Sequence, residues 1–202
     1  MILQEILDYI LKGDKALFLF LNGFHSEGAD WIMAYVTGTK PWIPFYLLLA
    51  YLLFKKYGKA VWLPLLGVAL TIVVADQVTS GFMKPFFARL RPSWEPELEG
   101  MVHLVTGRGG KYGFASSHAA NSFGLATFLY LLYLDNRKYV GWMFVWAAVV
   151  SYSRIYVGKH YPLDIFAGAL VGIAGAYGIY SVFLWVWNKL KNRENERIRK
   201  AG

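Results

Sequence analysis

Four ionisable side chains lie within twelve positions of an otherwise apolar part of the chain. The segment SRIYVGKHYPLD, residues 153–164, contains Arg154, Lys159, His160 and Asp164. An imidazole titrates near neutral pH, so it can serve as a nucleophile or as a general acid or base. A carboxylate four residues after a histidine can bond its second ring nitrogen and fix its tautomer. The segment therefore predicts histidine chemistry supported by an orienting carboxylate.

Two further polar segments supply cations. KPFFARLRP begins at Lys84 and contains Arg91, seven residues on. On a helix seven residues make about two turns, so both side chains would project from one side. Lysine and arginine are suited to phosphate oxygens, and the planar arginine fork matches them best. With Arg154 they predict a phosphate site.

The segment ASSHAANS supplies a second histidine and a candidate helix start. Ser116, Ser117 and His118 open an uncharged run, and the backbone N–H groups of a helix start bind anions. His118 can complement His160, one ring acting as nucleophile and the other as general acid. The sequence shows no cluster of metal-ligand residues. We therefore expect metal-free chemistry without a cofactor, in which cations replace the charge of a metal.

Long uncharged runs must position these residues. The chain is 56% hydrophobic and 17% charged, below the roughly 25% charged residues of a typical soluble domain. Residues 119–134, 140–153 and 165–187 contain no charged side chain, and such runs match a bilayer core of about 30 Å. In a membrane protein a net charge of +8 indicates basic loops that lie beside anionic lipid headgroups. We therefore expect no nucleic-acid partner.

The periodicity predicts an all-α, polytopic membrane bundle of about six transmembrane helices in a single domain, 1–202. Residues 1–13 carry apolar pairs at helical spacing and predict an N-terminal interfacial helix. Residues 14–39 fit a first span, a re-entrant pair or two short helices. The clearer spans are predicted at about 42–54, 61–87, 117–134, 139–156 and 163–188.

Basic residues predict the orientation. Lys55, Lys56 and Lys59, then Arg137 and Lys138, then the tail at 189–202, fall at alternate ends of successive spans. Placing them all in the cytoplasm satisfies the positive-inside rule. The loops 84–116 and 154–163 then share the outer face, where their basic residues run against the rule and suggest a bound anion.

Two pairs of polar residues have a less defined role. Arg108 and Lys111, in the outer-face loop, would contact a second phosphate or headgroup, or would only be solvated. Asp76 and Gln77 lie inside a predicted span, where polar groups are costly. We expect them to form structural hydrogen bonds.

The three segments together resemble the motifs of the type 2 phosphatidic acid phosphatase superfamily, membrane lipid phosphatases related to vanadium haloperoxidases. That family has a Lys, six residues and Arg-Pro; a Pro-Ser-Gly-His; and a Ser-Arg, five residues, His, three residues and Asp. The first and third motifs match in full, and the second departs from the family because Ala115 replaces proline and Ser117 replaces glycine. The matching residues are Lys84, Arg91, Pro92, Ser116, His118, Ser153, Arg154, His160 and Asp164.

The resemblance, which covers about residues 40–188, implies a role for each residue. His160 would attack phosphorus and become a phosphohistidine, with Asp164 orienting it. His118 would protonate the leaving oxygen and then activate water. The phosphoryl oxygens would be held by Lys84, Arg91, Ser116, Ser117 and Arg154.

The sequence thus predicts an integral membrane phosphatase that removes the terminal phosphate of a lipid phosphate or diphosphate. The expected location is a bacterial inner membrane, with the site facing the periplasm or exterior. The first substrate expectation is undecaprenyl diphosphate; phosphatidylglycerophosphate, phosphatidic acid and lipid A phosphates are the alternatives. A lipid or anion transporter that uses the same charges, and a haloperoxidase-like oxidant, are the other classes considered.

Overall fold

The chain folds into helices, most of them joined by short connections, and one long loop joins the fifth α-helix to the sixth. The structure, a computed structural model, describes residues 2–134 and 137–201, so the predicted end residues Met1 and Gly202 lie outside it. Within this part the only strand-like feature is one antiparallel bridge, Leu90 with Tyr112. The helices are α1 (Ile2–Asn22), α2 (Glu27–Thr37), α3 (Ile43–Tyr57), α4 (Trp62–Asp76), α5 (Lys84–Phe87), α6 (Ser117–Leu132), α7 (Arg137–Val140), α8 (Trp142–Tyr156) and α9 (Pro162–Ala201).

The predicted spans all become helices, and the all-α prediction is confirmed. The span at 61–87 is α4 followed by a π-helical segment, Gln77–Met83, and then α5. Two helical stretches of the described chain are long and apolar enough to cross a bilayer, Lys40–Phe87 and Pro162–Arg197. Helices α6 and α8 are shorter, 16 and 15 residues. Six spans and a single domain remain predictions.

The N-terminal region continues further as helix than its pattern predicts. Helix α1 extends past residue 13 to Asn22, and α2 follows after a short turn. Two polar side chains of α1 are buried and bonded: Asp14 pairs with Arg89, and the Asn22 side chain donates to the carbonyl of Tyr156. Because tertiary contacts satisfy these groups, they do not end the helix. The interfacial position of α1 remains a prediction.

Small residues bring the central helices α6 and α9 into close contact. A Cβ on Gly168 would collide with the carbonyl oxygen of Ser116, and one on Gly172 would collide with that of Ala120. Small residues at four-residue spacing allow helix backbones to approach closely in membranes. We call this contact of Gly168 and Gly172 with the Ser116 and Ala120 carbonyls the seam between α6 and α9. It places the first turn of α6 beside the first turn of α9, where the Ser116 N–H donates to the Asp164 carbonyl at 2.9 Å.

The bundle has an apolar outer surface and two distinct ends. Large side chains such as Leu47 and Leu170 are more than half exposed, as expected of surfaces that face lipid. The N-terminus of α6 marks one end, called here the site end. At the other end Lys56 donates to the carbonyl of Leu132 at 2.6 Å. The 16 residues of α6 separate the ends by about 24 Å.

Candidate active site

His160 and Asp164 form a buried pair at the site end. His160 lies in the short connection between α8 and α9 and is 1% exposed, and Asp164 in the first turn of α9 is fully buried. His160 Nδ1 lies 3.3 Å from Asp164 Oδ2, which also accepts the Tyr161 N–H at 3.0 Å. Since a carboxylate oxygen accepts, the proton belongs on Nδ1 and the Nε2 lone pair of His160 stays free.

Burial and neighbouring cations keep His160 neutral. Desolvation, then the charges of Arg91, Arg154 and Lys84, lower the pKa of the His160 imidazole well below its usual value. A hydrogen bond to the Gly113 backbone opposes this shift without cancelling it. Because only the neutral ring has a nucleophilic lone pair, the site holds His160 in its reactive form at neutral pH.

The second histidine lies in the first turn of α6. Ser116 is the N-cap of this helix, and its hydroxyl accepts the N–H of Ala119 at 3.5 Å. The remaining N–H groups of the first turn have no intrahelical acceptor and can serve an anion. His118 is close enough to Arg154 and His160 to interact with them electrostatically. The two imidazoles therefore lie near each other, one in the first turn of α6 and the other in the connection that precedes α9.

Lys84 is held by a hydroxyl cluster. The Lys84 ammonium donates to Ser117 Oγ at 2.6 Å and to Ser80 Oγ at 2.9 Å, and Thr79 Oγ1 donates to Ser117 Oγ at 2.9 Å. Ser117 replaces the glycine of the family motif, and here its hydroxyl fixes the position of Lys84. The expected structural role of Asp76 fits the same cluster, because its carboxylate accepts from Ser80 Oγ at 3.2 Å.

Arg91 reaches the site from an extended segment, so the helical argument for its direction is wrong. Helix α5 ends at Phe87, Ala88 has a left-handed φ of 46°, and α6 begins only at Ser117. Pairing across the bridge sets the position of Arg91, whose N–H donates to the Lys111 carbonyl at 3.0 Å. Arg91 Nε donates to the Tyr112 carbonyl, also at 3.0 Å.

Arg154 has spare hydrogen-bonding capacity. It is buried near the end of α8, where Nη1 donates to Thr37 Oγ1 at 2.6 Å. Its Nε has no partner among the described residues. A buried donor without a partner is costly, and an arginine fork matches phosphate oxygens. The geometry therefore leaves this donor available to an anion.

Arg108 and Lys111 are exposed, and each side chain lies near an aromatic ring of the long loop. The Arg108 guanidinium lies 5.4 Å from the Trp94 ring centroid, and the Lys111 ammonium lies 5.8 Å from that of Tyr112. Their predicted role at a second phosphate has no support from these contacts.

Sequence reasoning missed four residues of the site. Arg89 pairs with Asp164, Asp14 pairs with Arg89, and Thr37 bonds Arg154. Gly113 passes so close that a Cβ there would lie 3.0 Å from Asp164 Oδ2. Only Arg89 carried a signal, since alternate residues of an extended segment point to one side and Arg91 follows two positions later.

An apolar cavity opens beside His118. Its volume is about 380 Å³, and it extends between α3, α4, α6 and α8. Thr37 and His118 line its polar end, and Leu49, Leu125 and Trp146 line its apolar part. The cavity is suited to a ligand with a polar group at the site end and an apolar chain.

Metal ligands are not grouped in the described part of the chain. Residues 2–134 and 137–201 contain no cluster of three or more His, Cys, Asp or Glu side chains that could hold an ion. The independence of metal stays a prediction.

Comparison with known proteins identifies the superfamily. The family model of the PAP2 superfamily matches residues 60–188, which is more than half of the chain. The crystal structure of a transmembrane PAP2 type phosphatidylglycerolphosphate phosphatase from Bacillus subtilis has a TM-score of 0.65 and 18% identity, covering 86% of each chain. This likeness shows the fold.

Two curated relatives are also similar. A lipid A 4′-phosphatase of Bacteroides thetaiotaomicron is 40% identical over 181 residues, 88% of this chain and 80% of the relative. An undecaprenyl-diphosphatase of Sulfolobus acidocaldarius is 34% identical over 137 residues, 65% of this chain and 58% of the relative. The chain therefore belongs to the PAP2 superfamily of membrane lipid phosphatases.

Proposed function

We propose that this enzyme hydrolyses a phosphate monoester of lipid A, with His160 as the nucleophile. The observation that carries the reaction is the buried His160–Asp164 pair beside Arg154, whose Nε lacks a partner among the described residues. Similarity to a lipid A 4′-phosphatase across 88% of the chain supports the substrate. The first expectation, undecaprenyl diphosphate, has weaker support, because that relative shares less of the chain.

The proposed reaction has two steps. His160 Nε2 attacks phosphorus, the P–O bond to the lipid breaks, and protonated His118 gives its proton to the leaving oxygen. In the second step neutral His118 takes a proton from water, whose oxygen attacks the phosphohistidine and releases phosphate. Asp164 orients His160 and balances the positive charge that the ring acquires.

The cations stabilise the transferring group. Lys84, Arg91 and Arg154 surround the site, and the first-turn N–H groups of α6 add partial positive charge. Negative charge spreads over the equatorial oxygens of the transferring phosphoryl group, so fixed donors stabilise its transition state. Ser116 orders the helix start as its N-cap, and Ser117 holds Lys84.

The proposed setting is a bacterial inner membrane with the site end facing the periplasm. The apolar cavity next to His118 would hold part of an acyl chain while the phosphorylated headgroup stays at the site end. The basic ends of α3 and α9 would then lie in the cytoplasm.

The deciding experiment measures phosphate release by the purified, detergent-solubilised protein with EDTA present. The panel contains lipid A, undecaprenyl diphosphate, phosphatidylglycerophosphate and phosphatidic acid, each also tested with His160→Ala. We expect the highest kcat/KM for lipid A and no release by the variant. A higher kcat/KM for another lipid would overturn the substrate, and loss on chelation that a divalent ion restores would overturn the metal-free mechanism.

The same panel tests the non-enzymatic alternative. A transporter would release no phosphate from any lipid, and its flux in vesicles would largely survive His160→Ala. An oxidant of the haloperoxidase type would require added vanadate.

A further inference from the structure

Arg89 connects two buried carboxylates behind the candidate nucleophile. Its Nη1 lies 2.8 Å from Asp164 Oδ1, and its Nη2 lies 2.6 Å from Asp14 Oδ2. The two carboxylate side chains are 0% and 2% exposed, and that of Arg89 is 17% exposed. The guanidinium also stacks over Tyr161, 4.1 Å from its ring centroid.

Asp14 holds the other end of this network. Its second oxygen, Oδ1, accepts the N–H of Leu163 at 2.9 Å, in the first turn of α9. Leu163 precedes Asp164, so α1 contacts the start of α9 through a backbone bond and through Arg89. Free N–H groups of a helix start favour an acidic partner. Asp14 thus fixes the backbone that carries Asp164 as well as the cation that pairs with it.

The position of Asp164 depends on the Arg89 ion pair and on the bond from Asp14 to Leu163, because its own hydrogen bond to His160 is long. Its Oδ2 lies 3.3 Å from His160 Nδ1 and is shared with the N–H of Tyr161. Rotation of the carboxylate would lengthen the contact with His160 further. The Arg89 bond to Oδ1 prevents this rotation and compensates the charge of a carboxylate that has no access to water.

We propose that Arg89 and Asp14 are positioning residues for the phosphatase reaction, acting on His160 through Asp164. The inference rests on the proposed nucleophilic role of His160. Arg89 directs both of its terminal nitrogens at carboxylates, so its contribution is to the geometry of the His160–Asp164 pair. Removing either residue should slow phosphoryl transfer and leave substrate binding little changed.

The test compares Arg89→Gln and Asp14→Asn with the control Lys15→Gln. Lys15 is the next residue of α1 and pairs with Glu97 of the same outer-face loop at 2.7 Å, so its loss removes an α1–loop ion pair without touching Asp164. We expect kcat to fall about 10- to 100-fold in the first two variants, the range seen for groups that orient reactive ligands. KM should stay within about threefold, and the control should match the unaltered enzyme.

A double-mutant cycle separates positioning from general destabilisation. In an Asp164→Asn background, Asp14→Asn should cost little further kcat, because residues that act through one group are not additive. Asp14→Asn is nearly isosteric and its oxygen can still accept from Leu163, so this variant should fold even if Arg89→Gln does not. Arg89→Lys, which keeps the charge but lacks the fork, should have intermediate activity.

Two outcomes would overturn the inference. Full kcat in Asp14→Asn and Arg89→Gln, with His160→Ala inactive, would reject the positioning role and leave the proposed function intact. If Asp14→Asn lowered kcat as much in the Asp164→Asn background as in the unaltered enzyme, the loss would be assigned to folding. Activity that survives His160→Ala would instead reject the proposed function itself.

Discussion

Gly113 lies in close contact with two side chains of the site, Asp164 and Arg91. A Cβ at this position would lie 3.0 Å from Asp164 Oδ2 and 3.1 Å from Arg91 Cγ, so one of them would have to move. We expect Gly113→Ala to lower kcat on the order of 100-fold, because small displacements of reacting groups are costly. Phosphate-release kinetics would measure this.

The matched control for Gly113→Ala is Gly110→Ala in the same loop. No atom lies within 4 Å of a Cβ at Gly110, so this variant should keep normal kinetics. Equal activity of the two variants would show that the close approach of the loop is unimportant for catalysis.

The protonation state of His160 is a second test at the residue scale. Burial and nearby cations lower its pKa, so as pH falls through about 6.5, where a free imidazole gains a proton, His160 should stay neutral. We expect its ¹⁵N ring signals, assigned by their loss in His160→Gln, to remain unchanged from pH 8 to 6 in the ligand-free enzyme. A titration midpoint at or above 6.5 would contradict the inferred environment.

Motif spacing predicted the residues that the structure brings together, and missed those that arrive from distant parts of the chain. His160 and Asp164 are four residues apart, so local helix geometry was enough to pair them. Asp14 and Arg89 are 75 residues apart, and nothing in the pattern of α1 indicates that pairing. The periodicity of residues 1–13 predicted a helix, but a periodic pattern does not show which distant side chain a residue of that helix will contact.

Among the elements, the seam between α6 and α9 should control both stability and catalysis. Gly172→Ala would place a methyl group against the Ala120 carbonyl and force the helices apart. Overpacking costs about 1–3 kcal/mol, so we expect a lower unfolding temperature and a reduced kcat, since both histidines depend on this contact. Thermal unfolding in detergent and phosphate release would report the two effects.

Gly178→Ala on the same helix is the control for the seam. Its Cβ would meet no atom within 4 Å, and alanine is the better helix former by about 1 kcal/mol. This variant should be at least as stable as the unaltered protein. If both glycine variants behaved alike, the seam would not be setting the distance between α6 and α9.

The apolar cavity makes a prediction about substrate length. Ala50 of α3 lines the cavity, and Ala50→Trp would fill part of it. Displacing about two methylenes, at about 0.8 kcal/mol each, would lower kcat/KM about tenfold for a long-chain lipid phosphate. A water-soluble short-chain phosphate should be unaffected. Leu47→Trp, on the same helix but pointing outward and 65% exposed, is the control. Equal losses for both substrates would reject chain binding in this cavity.

Element boundaries show where sequence reasoning stopped. Apolar runs predicted α3, α6, α8 and α9 because burial in lipid demands unbroken hydrophobicity. The helix assumed between Lys84 and Arg91 was wrong, since Ala88 adopts a left-handed conformation that leaves no mark on the pattern. The bridge to residues 111–113, which redirects Arg91, is a long-range contact that periodicity cannot reveal.

At the scale of the whole molecule, both ends of the bundle carry cations, but their burial differs. Arg91, Arg154 and Lys84 lie near the buried His160 at the site end, and the opposite end carries the exposed Lys55, Lys56 and the basic end of α9. If the opposite end is cytoplasmic, as the positive-inside rule favours, the substrate headgroup must approach from the other side of the membrane.

This orientation can be tested directly because the chain contains no cysteine. Glu99→Cys would place an exposed thiol in the outer-face loop, and Lys191→Cys would place one near the end of α9. In intact spheroplasts a membrane-impermeant maleimide should label the first variant and reach the second only after lysis. Both variants should retain phosphatase activity, since neither residue contacts the site. The reverse labelling pattern would place the site in the cytoplasm, and labelling of both thiols in sealed cells would mean that α9 does not cross the bilayer.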